Sequence, residues 1–95
     1  MTAIQFVWDE NKNRANQLKH GVSFEEAKTV FYDEKAIRYD DPDHSNGEER
    51  FLMLGVSNHL RILFVSHCFR EGDSVIRIIS ARKATKKEAA CYEEK

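Results

Sequence analysis

No stretch of this 95-residue chain approaches the roughly 20 consecutive apolar residues that span a bilayer. The first ten residues, MTAIQFVWDE, also lack the basic and apolar segments of a secretory leader, so the expected compartment is the cytoplasm. Cys68 and Cys91 form no Cys-x-x-Cys pair, and four scattered histidines add no ligand spacing. The residues therefore call for no metal and no cofactor, and the cysteines read as reduced thiols. With one proline and four glycines there is no linker, repeat or low-complexity tract, and residues 1–95 suit a single domain with one core beside a sheet. Net charge is nearly absent too, at −1, but its distribution is uneven. Residues 1–49 hold 6 basic and 11 acidic groups, residues 50–95 hold 9 and 5. A polyanion-binding face has to come from the second half, while the acidic half suits a basic partner protein.

Ile4 to Trp8 is rich in strand formers, and Asp9 then offers an N-cap for a helix to about Lys19, which His20-Gly21 ends. Its only apolar contacts are Ala15 and Leu18, which puts it at the surface. Ser23 and Glu26 form a capping box for a second helix, whose Phe24, Ala27, Val30 and Phe31 share one face. Lys35 to Tyr39 reads as a strand, and the acidic run from Asp40 to Glu49, with the only proline and an Asn-Gly pair, reads as a loop. Arg50 to Val56 and Arg61 to Phe69 are strands joined by a tight turn, and Glu71-Gly72-Asp73 turns into a third. Short connections make these an antiparallel meander closed by a final helix, an α+β arrangement with two N-terminal helices and a C-terminal helix on a small sheet.

Ser74 to Glu88 concentrates the charge. Regular alternation places Val75, Arg77, Ile79 and Ala81 on one face and Ile76, Ile78, Ser80 and Arg82 on the other, an arginine on each. An unpaired guanidinium is costly to desolvate, so Arg77 should meet a cleft, a carboxylate or an anion. Thr85 and Glu88 form a capping box that puts Lys86 and Lys87 in the first helical turn, against the dipole. With Arg82 and Lys83, five cations and no acid fill Arg77 to Lys87. Two readings stand: a solvated basic surface, or a phosphate site built on free helix N–H groups and added charge. If Val56 opposes Arg61 and Arg70 opposes Ser74, then Arg50, His67 and Arg77 form one row across three strands. The plain alternative for His67 is a half-buried ring satisfied by a neighbouring carboxylate.

The order FVWDENKNRANQLKHGVSFEEA, DPDHSNGEERFLMLG and VIRIISARKATKKEAACYEE resembles the BrnT family of bacterial type II toxins along nearly the whole chain. KHGVSFEEA, Asp43-His44-Ser45 with Gly47-Glu48-Glu49-Arg50, and Arg77 to Thr85 carry the likeness. It implies a metal-independent ribonuclease with a RelE-like fold, helices on one side of an antiparallel sheet, and a BrnA-like antitoxin partner. The complex would be a heterotetramer or larger, meeting DNA only through the antitoxin and no membrane. RNA cleavage through the 2′-OH needs a base, charge stabilisation at the phosphoryl oxygens and an acid for the leaving oxygen. Arg77 and Arg82 rank first as phosphate ligands, then Arg50, His67, Lys19 and His20, then Lys83, with Lys86 and Lys87 as further RNA contacts. Glu49 and, in the manner of RelE-like enzymes, Tyr92 join His20 and His67 as proton-transfer candidates. Each has a dull alternative: His20 ending a helix, Glu49 pairing with Arg50, Tyr92 packing on the sheet. The last helix lacks the arginine run of many relatives, which implies weaker nonspecific RNA affinity. The alternative function is a non-catalytic module that holds an antitoxin and assists repression.

Overall fold

The computed structural model describes residues 4–41, 49–72 and 74–94. In chain order these form β1 (Gln5–Val7), α1 (Glu10–His20), α2 (Phe24–Thr29), a 3₁₀ turn (Val30–Tyr32), β2 (Ile37–Asp40), β3 (Arg50–Val56), β4 (Ile62–Arg70), β5 (Val75–Lys83) and α3 (Lys86–Glu93). The five strands make one sheet in the order β1-β5-β4-β3-β2. The meander β3-β4-β5 and the β2–β3 pair are antiparallel, whereas β1 pairs parallel with β5, so the sheet is not wholly antiparallel as expected. Residues 42–48, with Asp43-His44-Ser45, Gly47-Glu48 and most of the expected acidic loop, and Asp73 lie outside the described residues, while Asp40, expected in the loop, ends β2.

Local chemistry sets the boundaries. Asp9 accepts from the Asn11 and Lys12 amides, and Gly21 ends α1 in the left-handed region at φ 69°. Ser23 caps α2 through the Glu26 amide, but the Glu26 side chain does not return to close the box. At α3 the box of Thr85 and Glu88 is complete.

The core lies between the α1–α2 side and the sheet: Val22, Phe24, Ala27 and Val30 meet Leu63, Val65, Ile78 and Ala81, with Trp8, Phe31 and Met53 at its margin. α1 is not held by the apolar pair expected. Leu18 is 91 % exposed, and the helix docks through buried Asn13 and Asn16. The Asn16 amide donates to the Val22 and Ala81 carbonyls at 2.8 Å each and accepts from the Ala81 N–H at 3.1 Å. β1 pairs only with Val75 to Arg77, so the later part of β5 has an open edge there. Asn16 supplies the donor and acceptor that a neighbouring strand would. Asn13 likewise accepts from the Phe24 amide at 2.8 Å.

β5 carries a bulge. Ser66 opposes Ser80 while His67 opposes Ile78, leaving Ile79 unmatched. Alternation therefore reverses after Ile78: Ile78 and Ala81 both face the core, and Arg77 and Arg82 both face away from it, correcting the expected arginine on each face. The register row is also corrected. Three residues, Asn58 to Leu60, form the first turn, closed by the Ser57 amide on the Arg61 carbonyl, so Ser57 rather than Val56 opposes Arg61. In the second turn Arg70 opposes Val75. Each shift moves the pairing by one residue, and the row that forms is Arg50–Cys68–Arg77. His67 falls on the core side.

Nor do all helices share one side. Arg82 opposes Phe64, on the face away from α2, and Glu88 of α3 pairs with Arg82, so α3 crosses that second face. Its far end is fixed by the Tyr92 hydroxyl donating to Asp33 at 2.6 Å.

Replacing Asn16 with leucine strands the Ala81 N–H and two carbonyls. At about 1–3 kcal/mol for each buried orphan the loss should reach about 3 kcal/mol in urea unfolding, against less than about 0.5 kcal/mol for Leu18→Ala.

Candidate active site

The second face of β3, β4 and β5 presents three ranks: Arg50–Cys68–Arg77, Leu52–Ser66–Ser80, and Leu54–Phe64–Arg82. The small serines leave a cleft of about 480 Å³ lined by His20, Asp41, Leu52, Phe64, Ser66, Ser80, Ala81, Arg82 and Glu88. His20 enters from the last turn of α1, four residues after the Asn16 clamp, and Glu88 enters from the first turns of α3.

Arg82 is organised on every side. Its guanidinium stands 5.0 Å over the Phe64 ring, which stacks on Tyr39 at 6.0 Å. Two hydrogen bonds of 2.8 and 2.9 Å join it to both oxygens of Glu88. The bond to Arg82 outweighs burial, which acts the other way, and with the Thr85 amide it holds the Glu88 carboxyl down to about 2. Arg77 differs. It has no ion pair or hydrogen bond among the described residues and lines a separate hollow of about 400 Å³ with Val7, Trp8, Asp9 and Arg70. Arg77 and Arg82 thus share a face but not a cleft, roughly 15 Å apart at about 3.3 Å per strand residue. Arg50 has its Nε buried with no partner among the described residues.

The remaining candidates separate further. Lys19, Lys83, Lys86 and Lys87 are exposed outside the cleft lining, and Glu49 lines a hollow on the core side with Arg38, Phe51 and Phe69. Tyr92 is absent from the cleft. Its bond to Asp33, then burial, pushes the hydroxyl up to about 12, making it a poor proton donor at neutral pH. His67 is fully buried, with Phe31, Phe51 and Phe69 rings at 4.7, 6.0 and 5.5 Å and the Val65 carbonyl at 3.2 Å from Nδ1. Burial lowers its pKa to about 4, and no carboxylate among the described residues satisfies it.

Sequence reading missed Ser66, Ser80, Asp41 and Phe64 as cleft residues and saw Glu88 only as a cap. The available signal was Glu88 lying six residues after Arg82, within reach of a helix that folds back. The sequence also gave no hint that buried Glu26 would bind Ser57 and the Arg61 guanidinium, which ties the β3–β4 turn to α2. Burial alone would raise that carboxyl, but the hydrogen bonds from Arg61 and Ser57 outweigh it and hold it below the ordinary range.

The family model described as ribonuclease toxin, BrnT, of type II toxin-antitoxin system matches residues 8–88. The chain belongs to the BrnT family. The crystal structure of the Brucella abortus ribonuclease toxin BrnT is similar with a TM-score of 0.65 at 24 % identity, covering 88 % of this chain and 100 % of that one. At that identity the likeness speaks for the fold: a five-stranded, mostly antiparallel sheet with three helices is the BrnT architecture. None of the curated proteins compared with the chain is significantly similar in sequence. Membership in this BrnT family implies an RNA target and an antitoxin partner. Among the described residues no helix is long and apolar enough to cross a membrane.

The His67 environment fixes a pH dependence. Its folded pKa, about 4, lies below the usual 6.5, so the stability it contributes is complete above 6.5 and is lost as pH falls towards 4. The difference corresponds to about 3 kcal/mol. Urea midpoints measured from pH 7 to 4 should fall accordingly, and His67→Phe should remain folded with a visibly flatter profile.

Proposed function

We propose that this chain is an endoribonuclease that cleaves RNA through attack of the 2′-OH on the adjacent phosphorus, without a metal, at the cleft between α1 and α3. The observation that carries this reading is Arg82 beside His20 on a face whose floor is an aromatic ring and two small serines. A base stacks on Phe64 or Tyr39, which is sequence-tolerant. The scissile phosphate takes the place of the Glu88 carboxylate on Arg82, because guanidinium offers the same two-pronged donor to either anion. His20 is the proton-transfer group: its ring takes the 2′-OH proton as the 2′-oxygen bonds to phosphorus, and the protonated ring returns it to the departing 5′-oxygen as the P–O5′ bond breaks, leaving a 2′,3′-cyclic phosphate. Arg77 and Arg50, on one rank of the same face, hold flanking phosphates. His67, with no exposed surface, has no part in the chemistry.

A BrnA-like antitoxin neutralises the toxin and supplies the DNA-binding part of a repressor complex. Because such repressors dimerise, the complex should hold more than one toxin copy; scattering that gives one toxin per particle would contradict this.

The decisive experiment follows growth and RNA integrity on expression of the chain alone and with single replacements. Arg82→Ala should lower cleavage by about 10² to 10³ and His20→Ala by about 10² to 10⁴. Arg77→Ala should mainly weaken RNA binding and reduce the salt slope by about 0.7. Normal growth and intact RNA with folded wild-type protein would reject the catalytic reading, and tight antitoxin binding under those conditions would favour a non-catalytic module.

A further inference from the structure

The helix-side face holds a second hollow that the cleavage reading does not use. It measures about 580 Å³ and is lined by Arg38, Glu49, Phe51 and Phe69. Phe51 opposes His67 across β3–β4, and Arg38 opposes Met53 at the core margin, so the hollow lies on the face opposite Arg82. Its walls combine two kinds of chemistry. Phe51 and Phe69 meet edge to face with centroids 5.4 Å apart, and the Arg38 guanidinium stands 5.0 Å over the Phe51 ring.

His67 lies under those rings, fully buried. The Val65 carbonyl can only accept, so the Nδ1 facing it at 3.2 Å carries the proton. A neutral ring then leaves Nε2 as a bare acceptor, and Nε2 is buried with no partner among the described residues. With no exposed surface, His67 is not part of the lining and serves as a buried reporter of whatever touches the rings above it. A ligand that completes the site must be flat enough to lie on the phenyl rings. It must also present an acceptor to Arg38 and donors to the two oxygens of Glu49.

We propose that this hollow is a guanine-binding pocket, with the base against Phe51 and Phe69, O6 accepting from Arg38, and the N1–H and 2-amino groups both donating to the Glu49 carboxylate. Guanine alone among the four bases carries one acceptor followed by two donors on its pairing edge; adenine, cytosine and uracil each lack one of these donors. The inference rests on the RNA-binding reading above and deepens it. The pocket shares the Arg50–Cys68–Arg77 end of the sheet, Phe51 following Arg50 in β3 and Phe69 following Cys68 in β4.

The test uses the full chain with ¹⁵N-labelled histidine and labelled phenylalanine, titrated with GMP, IMP and AMP and observed by NMR. GMP should shift the His67 Nε2 signal and the Phe51 and Phe69 rings. IMP, which lacks the 2-amino group, and AMP should bind at least about tenfold more weakly. Phe51→Leu and Phe69→Leu, checked for folding by circular dichroism, should lose about tenfold or more in GMP affinity. An oligouridine with one guanine that moves the same signals, weakened when inosine replaces it, assigns the pocket to a base within RNA. Response to GMP but not to the oligonucleotide assigns it to a free guanine nucleotide. Unshifted His67 and phenylalanine signals at millimolar GMP, or wild-type GMP affinity in a folded Phe51→Leu chain, would overturn the proposal. Cleavage of RNA by a chain that ignores GMP would reject the pocket and leave the ribonuclease reading standing; GMP binding without cleavage would do the reverse.

Discussion

One unmatched residue in β5 decides what the sheet shows to each side. With Ile79 left out of the pairing, Ala81 turns inward to the Asn16 amide and Arg82 turns outward over Phe64. Without the extra residue, alternation would send Arg82 into the core against Val22 and Phe24 and leave Ala81 outside. Burying a guanidinium among aliphatic groups costs several kcal/mol, so the bulged register is selected strongly. The same residue therefore sets the strand's register and places both arginines on one face.

The core is also more polar than its size suggests, and this has a positional consequence. Aliphatic surfaces can slide past one another with little change in energy, whereas an amide that must meet both the N–H and C=O of one residue allows a single placement. Asn16 fixes α1 against Ala81 in that way, and Asn13 fixes it against the start of α2. The C-terminal turn that carries His20 then has no freedom to drift from the cleft. Beside the same end of α1, Glu26 holds the β3–β4 turn through Ser57 and Arg61, and Arg61 also donates to the Gly21 carbonyl. These polar joints determine where side chains lie, while the apolar cluster supplies the drive to fold.

What the sequence disclosed follows from the range over which each signal acts. Caps at Asp9, Ser23 and Thr85 and the stop at Gly21 depend on a few adjacent residues, and all four are where the residues place them. The strand runs β3, β4 and β5 were legible for the same reason. Register was not, because it depends on how many residues a turn consumes. Leu60 takes the left-handed position in the first turn at φ 60° although it is neither glycine nor asparagine, so its composition conceals the turn type. Asn13 and Asn16, three apart on one helical face, cannot be told from a solvated stripe until the β5 edge is known to lack a strand beside them. Arg77 and Arg82 stood out as cations, but their common face required the bulge, and the phenyl rings around His67 come from three separate segments.

The Arg82–Glu88 pair bears on whether a cation already matched to an anion can serve a phosphate. An exposed pair is worth little, and this one is partly exposed, with side chains 42 % and 26 % accessible. Glu88 also has another partner, since its Oε1 accepts from the Thr85 N–H at 2.9 Å, and a carboxylate near a helix N-terminus remains favoured there after Arg82 is gone. Exchange therefore leaves neither group stranded: phosphate replaces carboxylate on the guanidinium, and the carboxylate keeps its backbone donor. α3 buries no residue of its own and is held at its far end by Tyr92 on Asp33, so a small shift of its first turn does not require repacking of the core. On the proposed reading, Glu88 holds Arg82 in the orientation that a phosphate needs, while Arg77, which has no such anion among the described residues, would meet the RNA backbone first.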